Sequence, residues 1–302
     1  MSRAIEIVEV SPRDGLQNEA QLVSTMDKVA LIRRCIAAGA RRIEVASFVN
    51  PRKVPQMADA EAVVDLLGEV EGVTRIGLVL NLRGAERALA CGIDQLGAVA
   101  AASDAFGVRN QGQDSAQSVA EALRIIALAK AAGLSAQVTI ATAFGCPFQG
   151  EVDPALVVAM ARELAQAGPA EIALADTIGV AVPAAVSALV SAVRGAIAPL
   201  PVRVHFHDTR NTGIANVWAA VEAGAVTVDA ALGGLGGCPF APGAAGNVGT
   251  EDVVYMLQRS EVETGLELDR LLTASHWLAG VMGKPLPASL ARVGAFPAGL
   301  AS

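Results

Sequence analysis

Eight times along this chain a short run of β-branched and small apolar residues gives way to a longer Ala/Leu-rich run of helical period, and that alternation limits the possible folds more than any motif does. Strands are expected at Ile5–Val10, Arg42–Ser47, Thr74–Leu80, Gln95–Ala100, Ala136–Ala141, Glu171–Ala175, Arg203–His207 and Val226–Ala231. Strands separated by helices pair in parallel, because the intervening helix returns the chain to the same end of the sheet. Ser24 is placed to cap the first helix, and Asp153–Pro154 to open another as N-cap and first helical residue. Eight such units with no linker between them predict an α/β TIM (β/α)8 barrel with additional C-terminal helices. We expect a single catalytic domain over 1–302, with the barrel at about 4–262 and a helical cap at about 263–302. An open dinucleotide-binding sheet lacks support. No G-x-G-x-x-G follows the first strand, and no G-x-x-x-x-G-K-[ST] occurs anywhere.

Composition decides what fills such a barrel. The 302 residues are 53% hydrophobic but only 3% aromatic, so the core is expected to be built from Ala, Val, Leu and Ile. A net charge of −7 argues against nucleic acid or an anionic membrane as a general partner. Cys35, Cys91, Cys146 and Cys238 lie far apart with no C-x-x-C pair, which fits a reduced, cytoplasmic setting better than a disulfide framework. The N-terminus has no apolar h-region, and the apolar run from Pro183 to Pro199 is short and interrupted by Arg194, so no membrane segment is expected.

In a barrel of this kind function collects where the strands end, and the polar residues there come from five strands. The first strand ends at Arg13 and Asp14, the second holds Glu44, the sixth ends at Asp176, and the seventh carries His205 and His207. The eighth runs into GGLGGCPFAPGAAGN at Gly233–Asn247, with six glycines, two prolines and one cysteine in fifteen residues. Inert linkers are usually Ser-rich or charged. This loop instead combines backbone freedom with fixed turns, and so can present Cys238 and Asn247 as part of a lid.

His205 and His207 are the sharpest local signal, because alternate residues of a strand share a face and the chain has only three histidines. With Asp14 and an amide oxygen such as that of Asn247 they offer two imidazoles and two oxygens. That set suits Mg²⁺ or Mn²⁺ better than structural zinc, although a thiolate from Cys238 would keep zinc open. Arg13, a permanent cation beside a candidate ligand, is suited to hold a developing oxyanion, the plainer alternative being an ion pair with Asp14 or Glu44. Cys238 can serve as acid or base if a cation lowers its pKa. Glu44 and Asp176 are expected to orient Arg13 and the histidines.

VEVSPRDGLQNE at Val8–Glu19, RIEVASFVNPRKVPQM at Arg42–Met57, GCPFQGEV at Gly145–Val152, ADTIGV at Ala175–Val180 and GGLGGCPFAPGAAGNVGTEDVVYML at Gly233–Leu257 together resemble 3-hydroxy-3-methylglutaryl-CoA lyase. The motifs run in order from about residue 5 to 282, and the last is highly specific. The resemblance implies a homodimeric, divalent-metal-dependent barrel that cleaves a 3-hydroxyacyl-CoA to acetyl-CoA and acetoacetate. Asp14, His205, His207 and Asn247 would be the metal ligands and Arg13 the enolate stabiliser. Glu44 and Asp176 would support the site, and Cys238 would be the lid acid. His205 or a water is the candidate base, and Arg52 and Lys53 are candidate contacts for the CoA phosphates.

The chain departs from the family pattern at Arg210 and Asn211, where Tyr-Gly is common, at Ala173 and Ala175, where Ser and Gly are frequent, and at Ala20. These departures put a new cation near the expected mouth, and a related substrate such as citramalyl-CoA is therefore an alternative. Condensing synthases of the isopropylmalate kind share the Arg-Asp and His-x-His pairs, but usually carry a different loop and a further C-terminal domain. A non-catalytic binding barrel is the remaining alternative, and it would show no metal-dependent turnover.

Overall fold

A computed structural model describes residues 3–237 and 246–297. Strands Glu6–Glu9, Arg42–Ser47, Thr74–Val79, Gln95–Ala101, Ser135–Ala141, Ile172–Asp176, Val202–Phe206 and Thr227–Ala230 form a closed, all-parallel barrel in chain order. The last strand pairs with the first, with Val8 opposite Asp229. The expected strand boundaries hold to within one or two residues. His207 lies just past the end of its strand and bridges to Asn247. Outside the barrel, Arg3–Ala4 pairs with Val262–Glu263, tying the start of the chain to the segment before helix Leu268–Met282.

Local sequence explains the helix starts. Ser24 accepts a hydrogen bond from Asp27 N and caps Thr25–Ala37, while Asp153 accepts from Ala155 N with Pro154 as the first residue of Pro154–Gln166. Asp114 and Gln117 form a capping box at Ser115–Ala131. The large apolar cluster lies between barrel and helices and is built, as the composition requires, mainly from Ala, Val, Leu and Ile.

The barrel interior is different. Its own apolar cluster is small, Val8, Val10, Ile76 and Ala231, and much of the remaining space is taken by charged and amide side chains. Arg42 reaches across to Gln95, to Gln137 and to Glu171, the last at 2.5 Å. An interior of this kind departs from the layers of branched aliphatic residues usual in such barrels. Below the strand starts lies a recess of about 730 Å³, in which Arg42 pairs with Glu6 and Glu171.

Candidate active site

The first strand ends in a tight π-helical turn, Ser11–Gly15, in which Val10 O accepts the N–H groups of Arg13, Asp14 and Gly15. Packing the turn this closely leaves little room at Gly15, where an added Cβ would lie 3.2 Å from Leu235 Cβ. The turn carries Arg13 and Asp14 over the barrel mouth. It is held there by Glu9, a buried carboxylate that the sequence reading passed over. Glu9 accepts from Ser11 N at 2.8 Å, Leu232 N at 3.0 Å and Thr250 Oγ1 at 2.8 Å, and so stitches the first loop to the eighth.

Three candidate ligand atoms converge above the mouth. Nε2 of His205 lies 3.8 Å and Nε2 of His207 3.9 Å from Asp14 Oδ2, and the two rings are 5.2 Å apart. The fourth candidate, Asn247, donates through Nδ2 to Asp14 Oδ2 at 2.8 Å and to Leu235 O at 3.0 Å. Its Oδ1 is buried and has no hydrogen-bond partner among the described residues. A buried amide oxygen with nothing to accept, on a side chain hydrogen-bonded to Asp14, fits a cation, because such an acceptor is otherwise costly to bury. Asn247 is placed by a crossing of two glycine backbones. Asp208 N donates to Gly246 O, and Gly236, at φ 114°, passes so close that any Cβ there would strike the Asn247 amide.

The electrostatics prepare these groups to bind a cation. Burial opposes the charge of Asp14, but Arg13, His205, His207 and the Asn247 amide outweigh it and hold the carboxyl well below the ordinary carboxylate range. Burial, reinforced by neighbouring His205, lowers His207 to about 4, which keeps its ring neutral and its lone pair available. Burial also works against protonation of His205, yet the hydrogen bond its ring donates to Asp229 and the charge of Asp14 raise its pKa.

Arg13 is fixed on both sides. Its Nε donates to Glu44 Oε2 at 2.6 Å and its Nη1 to Asp14 Oδ1 at 2.5 Å. The guanidinium is thus locked in plane at the mouth, with 11% of its side chain still exposed.

Asp176 requires a correction. The expectation was a carboxylate orienting Arg13 and the histidines. Asp176 is instead in register with Phe206, which points into the outer helical layer between the two inward-facing histidines. Both its oxygens accept from its own loop, Val180 N at 2.9 Å and Ala181 N at 2.9 Å, so it shapes the sixth turn. Burial, only partly offset by those amides, raises its pKa.

From the cluster a cavity of about 520 Å³ runs outward between the second, third and fourth strand ends, past Phe48, Leu78, Leu80 and Val99. At its outer end stand Lys53, Arg109, Asn110 and Gln111. Lys53 lines the cavity, whereas Arg52 is exposed and is not among the described lining residues. Arg109, missed in the sequence, stacks over Phe148 at 3.9 Å. Arg210 is not among the described residues lining this cavity. Its guanidinium donates to Ile178 O and Gly179 O and bolts the sixth loop to the seventh. Ala175 lines the cavity, while Ala173 lies one same-face step below it, in register with Arg203. Cys238 falls outside the described residues, so its position relative to the cluster is not part of this geometry. Asp229 was also missed, although it gives the same signal as Glu44, a lone carboxylate inside a short apolar strand.

The same architecture recurs in known proteins. The chain is 44% identical over 96% of its length, and 95% of the relative's, to (R)-citramalyl-CoA lyase of Chloroflexus aurantiacus. It superposes with TM-score 0.94 on the crystal structure of HMG-CoA lyase from Bacillus subtilis, at 38% identity, covering 96% of this chain and 98% of that one. It also matches, at TM-score 0.93 and 39% identity, an HMG-CoA lyase from Acinetobacter baumannii in complex with coenzyme A and 3-methylmalate, covering 98% and 97% of the two chains. With the HMGL-like family model matching residues 4–278 as well, this chain belongs to the HMGL-like family and is a carbon–carbon lyase.

Proposed function

We propose that the protein cleaves 3-hydroxy-3-methylglutaryl-CoA to acetyl-CoA and acetoacetate with a divalent cation held by Asp14, His205, His207 and Asn247. The observation that carries this reading is the convergence of two imidazole Nε2 atoms and a carboxylate oxygen beside a doubly anchored arginine, at the inner end of a long cavity. Two nitrogens and two oxygens favour Mg²⁺ or Mn²⁺. When bound, the cation supplies Lewis acidity that lowers the pKa of the substrate's C3 hydroxyl.

The protein's own groups account for the remainder of the reaction. The hydroxyl proton passes to a water at the cluster, because Nε2 of His205 is given to the cation and its Nδ1 faces Asp229. The C2–C3 bond then breaks and its electron pair moves to the acetyl-CoA enolate, whose oxygen Arg13 receives in the plane that Glu44 and Asp14 fix. Cys238, next after Gly237 in the sequence, is the proposed acid that protonates C2. Lys53 and Arg109 are suited to meet the anionic groups of CoA at the outer end of the cavity. A homodimer in the cytoplasm is the expected form, which sedimentation of the purified protein would check.

The 44% identity to an (R)-citramalyl-CoA lyase supports a second reading, in which the substrate is one methylene shorter and the second product is pyruvate. The test is Mg²⁺-dependent acetyl-CoA release from both thioesters, with EDTA controls. Turnover of the first with the cation, abolished by EDTA, is the expected result. Turnover of citramalyl-CoA alone would keep the chemistry and replace the substrate. Inertness toward both, with metal present, would overturn the proposal.

A further inference from the structure

Beneath the candidate metal ligands the barrel holds a column of charge that ends on one of the two histidine rings and not on the other. Arg203 lies on the same strand and the same face as His205, one step lower, and is 2% exposed. Its Nη2 donates to Thr139 Oγ1 at 3.0 Å, and its Nη1 lies 3.7 Å from Glu171 Oε1 and 3.5 Å from Asp229 Oδ1. Asp229, on the neighbouring strand, is in direct register with His205, and its Oδ2 is 3.1 Å from His205 Nδ1. His207 has no such support, since its Nδ1 is buried without a partner among the described residues.

The two rings therefore differ in what fixes them. An ionised carboxylate can only accept, so a neutral His205 ring facing Asp229 carries its proton on Nδ1 and leaves the Nε2 lone pair toward Asp14. Rotating or flipping the ring would cost it that bond. The Arg203 guanidinium faces Asp229 Oδ1 at 3.5 Å as an ion pair without a hydrogen bond, and is itself tethered to Thr139 on a third strand and flanked by Glu171 just before a fourth. A metal-ligating histidine whose other nitrogen is held by a carboxylate is oriented as well as made more basic.

We propose that Asp229, anchored from below by Arg203, is a positioning residue that fixes His205 in its Nδ1–H tautomer and aims Nε2 at the bound cation. The inference rests on the metal-site reading above, and it is tested by readouts that do not depend on turnover. With only three histidines in the chain, ¹⁵N-histidine NMR of the Mg²⁺-loaded wild-type protein reads each tautomer, and a His276→Gln variant removes the remote signal. The expected result is a proton on Nδ1 of His205, and a proton on its Nε2 would overturn the proposal. Mn²⁺ titration followed by EPR is the second arm. Asp229→Asn, whose amide can donate and so permits the other tautomer, should weaken Mn²⁺ binding by about 10–100-fold. Arg203→Met should weaken it in the same direction and Arg203→Lys should restore most of the loss, a rescue that a space-filling role would not require. If Asp229→Asn fails to fold, the wild-type spectrum and the Arg203 pair still decide. Wild-type Mn²⁺ binding that Asp229→Asn leaves within twofold would overturn this proposal alone. Failure of the wild-type protein to bind Mn²⁺ at all would overturn the metal site together with it.

Discussion

Arg13 shows how much of the chemistry depends on one side chain being held still. Its guanidinium is committed to Glu44 and Asp14, so it meets a developing enolate oxygen without reorganising. Arg13→Met should lower kcat by on the order of 10²–10³ while Mn²⁺ binding stays within a few-fold; unchanged turnover in a steady-state assay would remove it from the reaction. A second residue sets a pH dependence that has nothing to do with turnover. Glu251 is fully buried and accepts from Gly233 N, and burial raises its pKa from an ordinary 4.5 to about 7. The folded state therefore keeps this proton over a range in which the unfolded chain has released it. The stability it confers is complete below pH 4.5 and is lost as the pH rises through 7, a difference of about 3 kcal/mol at most. Thermal melts at pH 5 and pH 7.5 should show a fall for the wild-type protein that is much smaller for Glu251→Gln. Equal falls would show that other groups, such as the buried Glu9 and Glu44, dominate.

At the scale of elements, the site is a product of loop ends fastened to one another. Glu9 binds the first loop to the eighth, Arg210 the seventh to the sixth, and the His207–Asn247 bridge the seventh to the eighth. The narrowest point is the crossing of Gly236 and Gly246, where a Cβ on Gly236 would lie 2.3 Å from Asn247 Nδ2 at a backbone angle that disfavours any side chain. Gly236→Ala should displace the Asn247 amide. We expect weaker Mn²⁺ binding by EPR and lower turnover, with some fall in the unfolding midpoint from the strained backbone at Gly236. A variant that binds Mn²⁺ normally would show that Asn247 is not held by this crossing. The same scale explains why Asp176 was misread. The sequence placed it correctly on a strand end, but its face follows from its register with Phe206, which no single strand specifies.

For the whole molecule, the described barrel separates two kinds of interior. An aliphatic layer between strands and helices supplies the hydrophobic stabilisation, and a charged column inside the strands leads up to the ligand cluster. A cation that binds only the folded barrel should stabilise it, by about 2.7 kcal/mol at a hundredfold excess over its dissociation constant. Differential scanning fluorimetry with Mg²⁺ or Mn²⁺ should therefore raise the melting midpoint by several degrees, with reversal by EDTA and no shift in His207→Ala; an equal shift in that variant would place the ion elsewhere. The periodicity of eight β/α units, the caps at Ser24 and Asp153, and the pairing of His205 with His207 on one face were all legible in the sequence, because each depends on residues close together in the chain. Other features could not be read locally. They include the hydrogen bond between Asp229 and His205, the loop hydrogen bonds made by Arg210 and Asp176, and the contribution of Arg109 to the cavity. They depend on strand register and on loops from distant parts of the chain arriving at one place. Sequence alone determined which elements form and which chemistry they carry. Only the closed barrel, by fixing which strands are neighbours and which face each residue presents, decided which of those groups can act together.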